Sequence, residues 1–177
     1  LASYGSAPTV HVQADGSNLV VGANADGWGL QVRGQLNATG IYNGIEGTAL
    51  RIEGDGLGAT ATINGGVAID NSVSANSAEA DAFGVVFGQD SITNLLALRG
   101  SVTSNSASDA AFTSHAVLLE AGASVPAINN SGTIQANYFG ETGDAVAIQD
   151  LSGTLTTITN SGGIAALLIP TDSDPTD

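Results

Sequence analysis

The sequence predicts an all-β protein: a right-handed parallel β-helix with three strands in each of about five turns of roughly 30 residues. Three observations predict this fold. The stretch INNSGTIQA (128–136) recurs 30 residues later as ITNSGGIAA (158–166). Short apolar patches return at the same places in every repeat unit. Glycine, asparagine and serine separate these patches, and no sustained run has the 3.6-residue periodicity of a helix.

The first 34 residues repeat less regularly than the rest. Apolar segments at 10–12, 19–21 and 30–32 predict one short turn that serves as an irregular edge turn or a cap. Clear repeats then continue to residue 169, so residues 1–169 are predicted to form a single domain. The segment 170–177, PTDSDPTD, is acidic, contains proline and lacks periodicity, which predicts a disordered tail or linker.

The first strand of each unit carries an aliphatic residue in one equivalent position. The spacings between these positions are 37, 29, 32 and 30 residues. Apolar and polar residues alternate around the position, as in TIQA (133–136), which is typical of a strand with one buried face. The position is filled by Leu36, Val73, Val102, Ile134 and Ile164.

Two further apolar patches follow in each unit and predict the second and third strands. Each strand is expected to pair with its equivalent one turn away, about 4.8 Å along the axis. An antiparallel sandwich is the alternative, but it does not require the same three patches in every unit. The second patch is ALRI (49–52), GVVF (84–87), AVLL (116–119) and AVAI (145–148). The third is residues 61–63 with 68–69, then Ile92, Val125 with Ile128, and Leu155 with Ile158.

The segments NSG at 130–132 and NSG at 160–162 are predicted to form the same corner in successive turns. Glycine is expected there because it adopts positive φ, and the asparagines are expected to stack as a hydrogen-bonded ladder. These residues are therefore interpreted as structural rather than catalytic.

The charge of the chain excludes one class of partner. The net charge is −14, from 17 acids against Arg33, Arg51 and Arg99, with no lysine. Nucleic acid is excluded because binding phosphate requires a basic surface. No cysteine is present, so disulfides and thiolate metal sites are excluded. No apolar run approaches the roughly 20 residues of a membrane-spanning helix, which predicts that this segment does not insert into a membrane.

The sequence predicts no catalytic, cofactor-binding or metal-binding residues. Calcium at the acidic turns 15–18 and 54–58 is a weak possibility, but neither turn has the full calcium-loop spacing. A glycosidase needs two carboxyl groups about 5 to 10 Å apart. The candidate pairs are Asp144 with Asp150 and Asp81 with Asp90, and any acidic repeat protein contains such pairs by chance.

The two histidines do not fit a metal or nucleophile site. His11 and His115 lie far apart without a carboxylate at ligand spacing, and His115 is interpreted as a turn residue before a core strand. Ser114 and His115 with Asp109 would supply the residue types of a triad, but neighbours in sequence rarely reach its geometry.

Four aromatic residues are predicted in or near turns, where they would cover a core edge or stack on sugar rings. They are Trp28, Tyr42, Tyr138 and Phe139. The loops 103–115 and 136–144 are predicted to carry recognition.

The aligned motifs INNSGTIQA, SITNLLALRGSV (91–102) and AVAIQDLSGTLTTITNSGGIAA (145–166) resemble the repeats of bacterial autotransporter passenger regions. The resemblance is specific over residues 91–166 and weak before about residue 66. It implies a secreted β-helix displayed on the surface of a Gram-negative bacterium after transport through the outer membrane by a C-terminal barrel. The sequence given contains neither a signal peptide nor such a barrel.

The resulting hypothesis is a non-enzymatic, surface-displayed stalk or adhesin segment. A glycan, or a surface protein of a host or neighbouring cell, is the expected partner. The alternative is a self-assembling extracellular filament or surface-layer subunit, whose coils associate end to end. A β-helical polysaccharide-degrading enzyme is a third hypothesis.

Overall fold

The computed structural model describes residues 1–171, in which all regular structure is β and the predicted parallel β-helix of about five turns is confirmed. The predicted tail lies outside the described residues from 172 onward. The strands are β1 (Ala2–Tyr4), β2 (Val10–Gln13), β3 (Leu19–Val21), β4 (Leu30–Val32), β5 (Leu36–Thr39), β6 (Gly47–Glu53), β7 (Ala61–Ile63), β8 (Val67–Ile69), β9 (Ser72–Ala78), β10 (Ala82–Phe87), β11 (Ser91–Thr93), β12 (Leu96–Leu98), β13 (Ser101–Ala107), β14 (Thr113–Leu119), β15 (Ala127–Asn130), β16 (Thr133–Phe139), β17 (Asp144–Asp150), β18 (Thr157–Asn160) and β19 (Gly163–Ile169).

The strands stack into four parallel sheets because each pairs with its equivalent in the neighbouring turn. Sheet A has the order β1-β5-β9-β13-β16-β19, and sheet B has the order β2-β6-β10-β14-β17. Sheet C is short, with β3-β7-β11, and continues only as a bridge between Ile92 and Ser124. Sheet D has the order β4-β8-β12-β15-β18. The predicted third patch is thus divided between sheets C and D wherever sheet C is present.

The predicted alignment of the first strand is confirmed along the whole of sheet A. Leu36 pairs with Val73, Val73 with Val102, Val102 with Ile134, and Ile134 with Ile164. Val73, Val102 and Ile134 are fully buried. Units of 29 to 37 residues therefore place this residue in one column, and the differences in length are taken up in the loops.

The beginning of the chain, expected as an edge turn or a cap, lies against the second turn. Its strands β2, β3 and β4 pair with β6, β7 and β8 in sheets B, C and D. Most core-facing residues of this turn are only half-buried, whereas their partners in the second turn are buried. This segment is therefore an edge turn of the same coil.

Sheet B bends at one place in every turn because two consecutive residues face the core. Ala116 and Val117 both belong to the core, and the regular pairing of β10 with β14 skips Ala116 and Gly84. A Cβ atom on Gly84 would lie 2.6 Å from Val102 Cγ1, which places Gly84 against sheet A across the interior. The same column holds Ala49 and Ala147, so a small residue occupies the bend in β6, β10, β14 and β17.

One predicted alignment in sheet B is wrong. The fourth patch, 145–148, is equivalent to 114–117 rather than to 116–119, because Ala145 pairs with Ser114 and Ile148 with Val117. The error arises because Ala145 and Ala147 are both small and followed by an apolar residue. The polar partner Ser114 is buried, and the sequence pattern gives no sign of this.

The Asn-Ser-Gly corner and its ladder are confirmed, but the reason for its glycine is different. Asn130 Nδ2 donates to Asn160 Oδ1 at 2.8 Å. Gly132 and Gly162 do not have positive φ. A Cβ on Gly132 would lie 1.8 Å from the Gly100 carbonyl oxygen, so glycine is required by the close approach of successive turns.

A second asparagine ladder crosses the outer face of sheet A. Asn105 Nδ2 donates to Asn76 Oδ1 and Asn137 Nδ2 donates to Asn105 Oδ1, both at 2.8 Å. The three residues are exact register partners on β9, β13 and β16. Side-chain hydrogen bonds therefore reinforce the backbone pairing over three turns.

Candidate functional site

The outer face of sheet D carries a column of side chains that changes from small to polar along the coil. Ala97 pairs with Asn129, and Asn129 pairs with Thr159. Asn129 and Thr159 are exposed, whereas Ala97 is buried although it points outward. Two residues further along, just after the strands β8 and β12, a second outward column begins with Asp70 and Arg99 in successive turns.

Arg99 is held in place by an aromatic ring and a carboxylate. Its guanidinium carbon lies 5.0 Å from the ring centre of Trp28, within cation–π range. Its Nε donates to Asp70 Oδ1 at 2.6 Å, and Gln31 Nε2 donates to the other carboxylate oxygen at 2.6 Å. The bond from Arg99 is the main reason that the pKa of Asp70 is lowered. These contacts fix the guanidinium before any ligand arrives.

A shallow groove of about 360 Å³ lies beside Trp28 on this face. Asn129 and Thr159 are exposed in its lining, so their side-chain polar groups are open to a ligand. The groove therefore combines an apolar base with free polar groups, the usual composition of a small-ligand site. It is lined by Trp28, Leu95, Ala97, Arg99, Asn129, Asn130, Ser131, Thr159 and Ser161.

Sheet B carries a charged cluster on its outer face. Arg51 donates from Nε to Glu53 at 2.5 Å and from Nη2 to both Glu120 carboxylate oxygens at 3.0 Å. His11 Nε2 lies 2.8 Å from Glu53 Oε1. Gly88 stands between the two glutamates, where a Cβ would lie 2.8 Å from the Glu53 side chain. Glycine at this position therefore lets both carboxylates reach one guanidinium.

The pKa of Arg51 reflects this enclosure. Burial acts to lower it, but the hydrogen bond to Glu53 and the negative charges of Glu120 and Glu53 outweigh burial and raise it. The guanidinium is thus held in a hydrogen-bonded network that connects the second turn to the fourth. This cluster is interpreted as a structural tie across the sheet.

The interpretation of His115 as a turn residue is wrong, because it lies within β14. Its ring stacks on Phe83 of the preceding turn, with centroids 5.3 Å apart and planes at 6°. Its Nε2 lies 2.6 Å from Gln149 Oε1 in the next turn, and Nδ1 is buried without a partner in the described residues. Burial lowers its pKa. A polar imidazole suggested a turn, but the stack on Phe83 accounts for the place of His115 in a strand.

The strand geometry separates the residues of the possible triad. Ser114 is fully buried, and its Oγ donates to Ser104 Oγ at 2.7 Å inside the coil. His115 follows it directly and lies on the opposite face, as successive strand residues do. The two side chains therefore cannot act as a nucleophile and its base.

The proposed carboxylate pairs are too far apart for glycosidase chemistry. Asp144 and Asp150 are the first and last residues of β17, roughly 20 Å apart at about 3.3 Å per residue. Asp81 and Asp90 flank the two ends of β10 in the same way. Asp81 Oδ1 instead accepts a hydrogen bond from the backbone N–H of Thr113 at 2.7 Å.

The acidic turn at 54–58 closes on its own backbone. Asp55 Oδ1 accepts hydrogen bonds from the N–H groups of Leu57 at 2.8 Å and Ala59 at 2.9 Å. These bonds lower the pKa of Asp55, the bond from Leu57 being the largest cause. In residues 1–171 no three histidine or acidic side chains are grouped as metal ligands would be.

The four aromatic residues have different environments. Tyr138 is a fully buried strand residue, contrary to the prediction, and its hydroxyl donates to the carbonyl oxygens of Ser108 and Ala110. The room for its ring comes from Gly143, where a Cβ would lie 2.0 Å from Tyr138 Cζ. Trp28 and Phe139 are half-buried, and Tyr42 is exposed in a turn.

The predicted recognition loops are shorter than expected. Strands β13 and β14 occupy most of 103–115, and β16 occupies much of 136–144, so the irregular segments are 108–112 and 140–143. The groove residues Arg99, Asn129 and Thr159 were not identified from the sequence as a group. Their spacing of about 30 residues was the available signal, because equal spacing brings residues to one face of a solenoid.

No protein-family model matches the chain, and no curated protein or solved structure is significantly similar to it. Among the described residues, no helix is long and apolar enough to cross a membrane.

Proposed function

We propose that the chain is a non-enzymatic β-helical stalk or adhesin segment of an autotransporter passenger, displayed on the surface of a Gram-negative bacterium. The observation that carries the proposal is the unbroken parallel pairing of sheets A, B and D from the first turn to the last. Such pairing with one continuous core gives a stiff rod, in which each turn adds about 4.8 Å. The rod holds its outer faces at a fixed distance and orientation for contact with another surface.

The side-chain hydrogen bonds between turns support a mechanical role as a stalk. Two asparagine ladders join neighbouring strands along the axis, and Arg51 links its own turn to Glu120 two turns away. A force along the axis is therefore shared by backbone and side-chain hydrogen bonds in several sheets. The outer faces remain available for recognition.

Adhesion is tested with beads coated with the purified chain and presented to epithelial cells and to bacterial cells. We expect retention under flow to exceed that of albumin-coated beads and to fall when soluble chain is added as a competitor. Retention equal to that of albumin on every surface would contradict the adhesin role. Antibody labelling of intact source cells tests surface display, and labelling only after lysis would contradict it.

A second candidate function is end-to-end assembly. It is favoured by the outermost described strands, β17, β18 and β19, which pair on one side only. Ile158, Ile164 and Leu168 are 47%, 40% and 52% exposed there, and unpaired edges with apolar side chains favour association. Because parallel sheets have two unlike edges, stacking copies head to tail would continue each ladder in an open filament.

Electron microscopy and light scattering of the purified chain test assembly. We expect rods whose length rises with protein concentration and whose formation is prevented by Leu168→Asp. Leu57→Asp is the matched control, since Leu57 is 93% exposed in a turn away from that end. Monomeric chain at all concentrations would contradict this function.

A further inference from the structure

We propose that the groove beside Trp28 binds a neutral oligosaccharide. The inference rests on the proposed adhesin function and names the chemical class of its ligand. The groove lies on the outer face of sheet D, so a ligand can reach it from the side of the rod. Its floor is built from paired strands rather than from loops, which fixes its polar groups relative to one another.

The apolar part of the groove suits the C–H face of a sugar ring. Trp28 forms one wall, with Leu95 and Ala97 beside it. Trp28 is half-buried, with Arg99 over one face of its ring, and its indole borders the groove. An aromatic surface next to small apolar residues provides the contact area that a weakly hydrophobic sugar face needs.

The polar part of the groove suits sugar hydroxyl groups. The amide of Asn129 offers donors and an acceptor, and the hydroxyl of Thr159 offers one of each. Arg99 uses Nε for Asp70, which leaves the terminal nitrogens of its fixed fork as donors at the groove. Asn129 and Thr159 are register partners in adjacent turns, so their polar groups follow one another along the axis.

The charges favour a neutral sugar over an acidic one. The positive charge of Arg99 is already paired with Asp70, and the whole chain carries a net charge of −14. An acidic oligosaccharide would meet long-range repulsion from this negative charge. Neutral hydroxyl groups meet no such penalty.

Trp28 provides the test, because it is the single tryptophan of the sequence and lines the groove. Its fluorescence is followed during titration of the intact chain with maltotetraose, cellotetraose, xylotetraose and chitotetraose, and with tetragalacturonate as the acidic probe. We expect a saturable change with at least one neutral probe and a weaker response to tetragalacturonate. The absence of a saturable change with all neutral probes, or tighter binding of tetragalacturonate, would overturn the proposal.

Two exposed positions locate the binding without altering the core. We expect Asn129→Ala and Thr159→Val each to weaken the neutral probe about tenfold or more. Asn43→Ala is the matched control, since Asn43 is exposed in a turn outside the groove. Unchanged affinity in both groove variants would overturn the location. Bead adhesion by the original chain without a saturable response to any neutral probe would overturn this inference and leave the adhesin function intact.

Discussion

Glycine is required at the corner position 132 because successive turns approach each other closely there. The Gly100 carbonyl oxygen of the preceding turn occupies the position where a side chain would begin. Gly162 meets the Gly132 carbonyl in the same way, one turn later. The corner therefore forms a stack in which each glycine receives the backbone of its predecessor.

Gly132→Ala is expected to destabilise the coil. The added Cβ would lie 1.8 Å from the Gly100 oxygen, so the backbone must shift, at a cost of about 2 to 3 kcal/mol in the free energy of unfolding. Gly22→Ala is the control, because nothing lies within 4 Å of its Cβ position. Urea denaturation measures both variants, and an equal loss in the two would contradict the stacking explanation.

His115 is expected to make stability depend on pH. Its pKa is lowered from 6.5 by burial, so the unfolded chain binds the proton more readily than the folded chain. The stability that neutral His115 provides is fully present above about pH 6.5 and is lost as the pH falls towards the pKa of the folded state. Asp81 and Asp144 act in the opposite direction by favouring the charged form.

The measurement compares the original chain with His115→Phe, which keeps a ring against Phe83 and removes the titration. Unfolding free energies are determined at about pH 7.5 and pH 5. We expect the original chain to lose stability relative to the variant on acidification. If the original chain instead gained stability relative to the variant on acidification, the predicted pH dependence would have the wrong sign.

At the residue scale, the sequence predicted where residues lie better than it predicted why they lie there. The equivalence of Asn130 and Asn160 and their ladder followed from the repeat alone. The buried state of Tyr138 did not, because it depends on Gly143 making room and on two carbonyl oxygens from the preceding turn accepting its hydroxyl. Such three-dimensional neighbours leave no periodic trace in the sequence.

Within each strand, stability comes from columns of aliphatic side chains that continue from turn to turn. Ile134 and Ile164 occupy the same column in β16 and β19. Ile134 is fully buried between two turns, whereas Ile164 in the outermost described strand is 40% exposed. The same side chain thus experiences two different degrees of packing.

Ile134→Ala and Ile164→Ala form a matched pair of variants. The first removes buried methyl groups and leaves a cavity, with an expected loss of about 3 to 4 kcal/mol. The second should cost about half as much or less, because much of that surface is already in water. Denaturant unfolding measures both losses, and a larger loss for Ile164→Ala would contradict the column order.

At the level of elements, the sequence predicted three strands per turn and the structure adds a short fourth sheet. The patches at 61–63 and 67–69 belong to different sheets because the short turn Asn64-Gly65-Gly66 changes the chain direction between them. The candidate groove could not be predicted from the sequence, for a related reason. It needs the register of sheet D to bring Ala97, Asn129 and Thr159 into one column.

For the whole molecule, the stacked turns imply that stability varies along the axis. Central strands such as β10 and β13 pair on both sides, while β1 and β19 pair on one side only. In a linear array each turn is stabilised mainly by its neighbours. The ends are therefore the parts that open most easily.

Hydrogen exchange followed by mass spectrometry tests this gradient. We expect amides of β1 and β19 to exchange first and those of β9, β10 and β13 last, with rates differing by at least about tenfold. The comparison is made at low protein concentration so that association does not protect the ends. Uniform protection along the chain would indicate a single cooperative unit instead.

The unequal turn lengths, between 29 and 37 residues, have a consequence for how such a chain diversifies. The segments joining sheets A and B, such as 40–46, 79–81 and 108–112, differ in length while the strands on either side keep their register. An insertion there lengthens an outer loop and leaves the pairing of the next strand unchanged. New surface variety can accumulate at this edge under selection, while the interior is inherited unchanged.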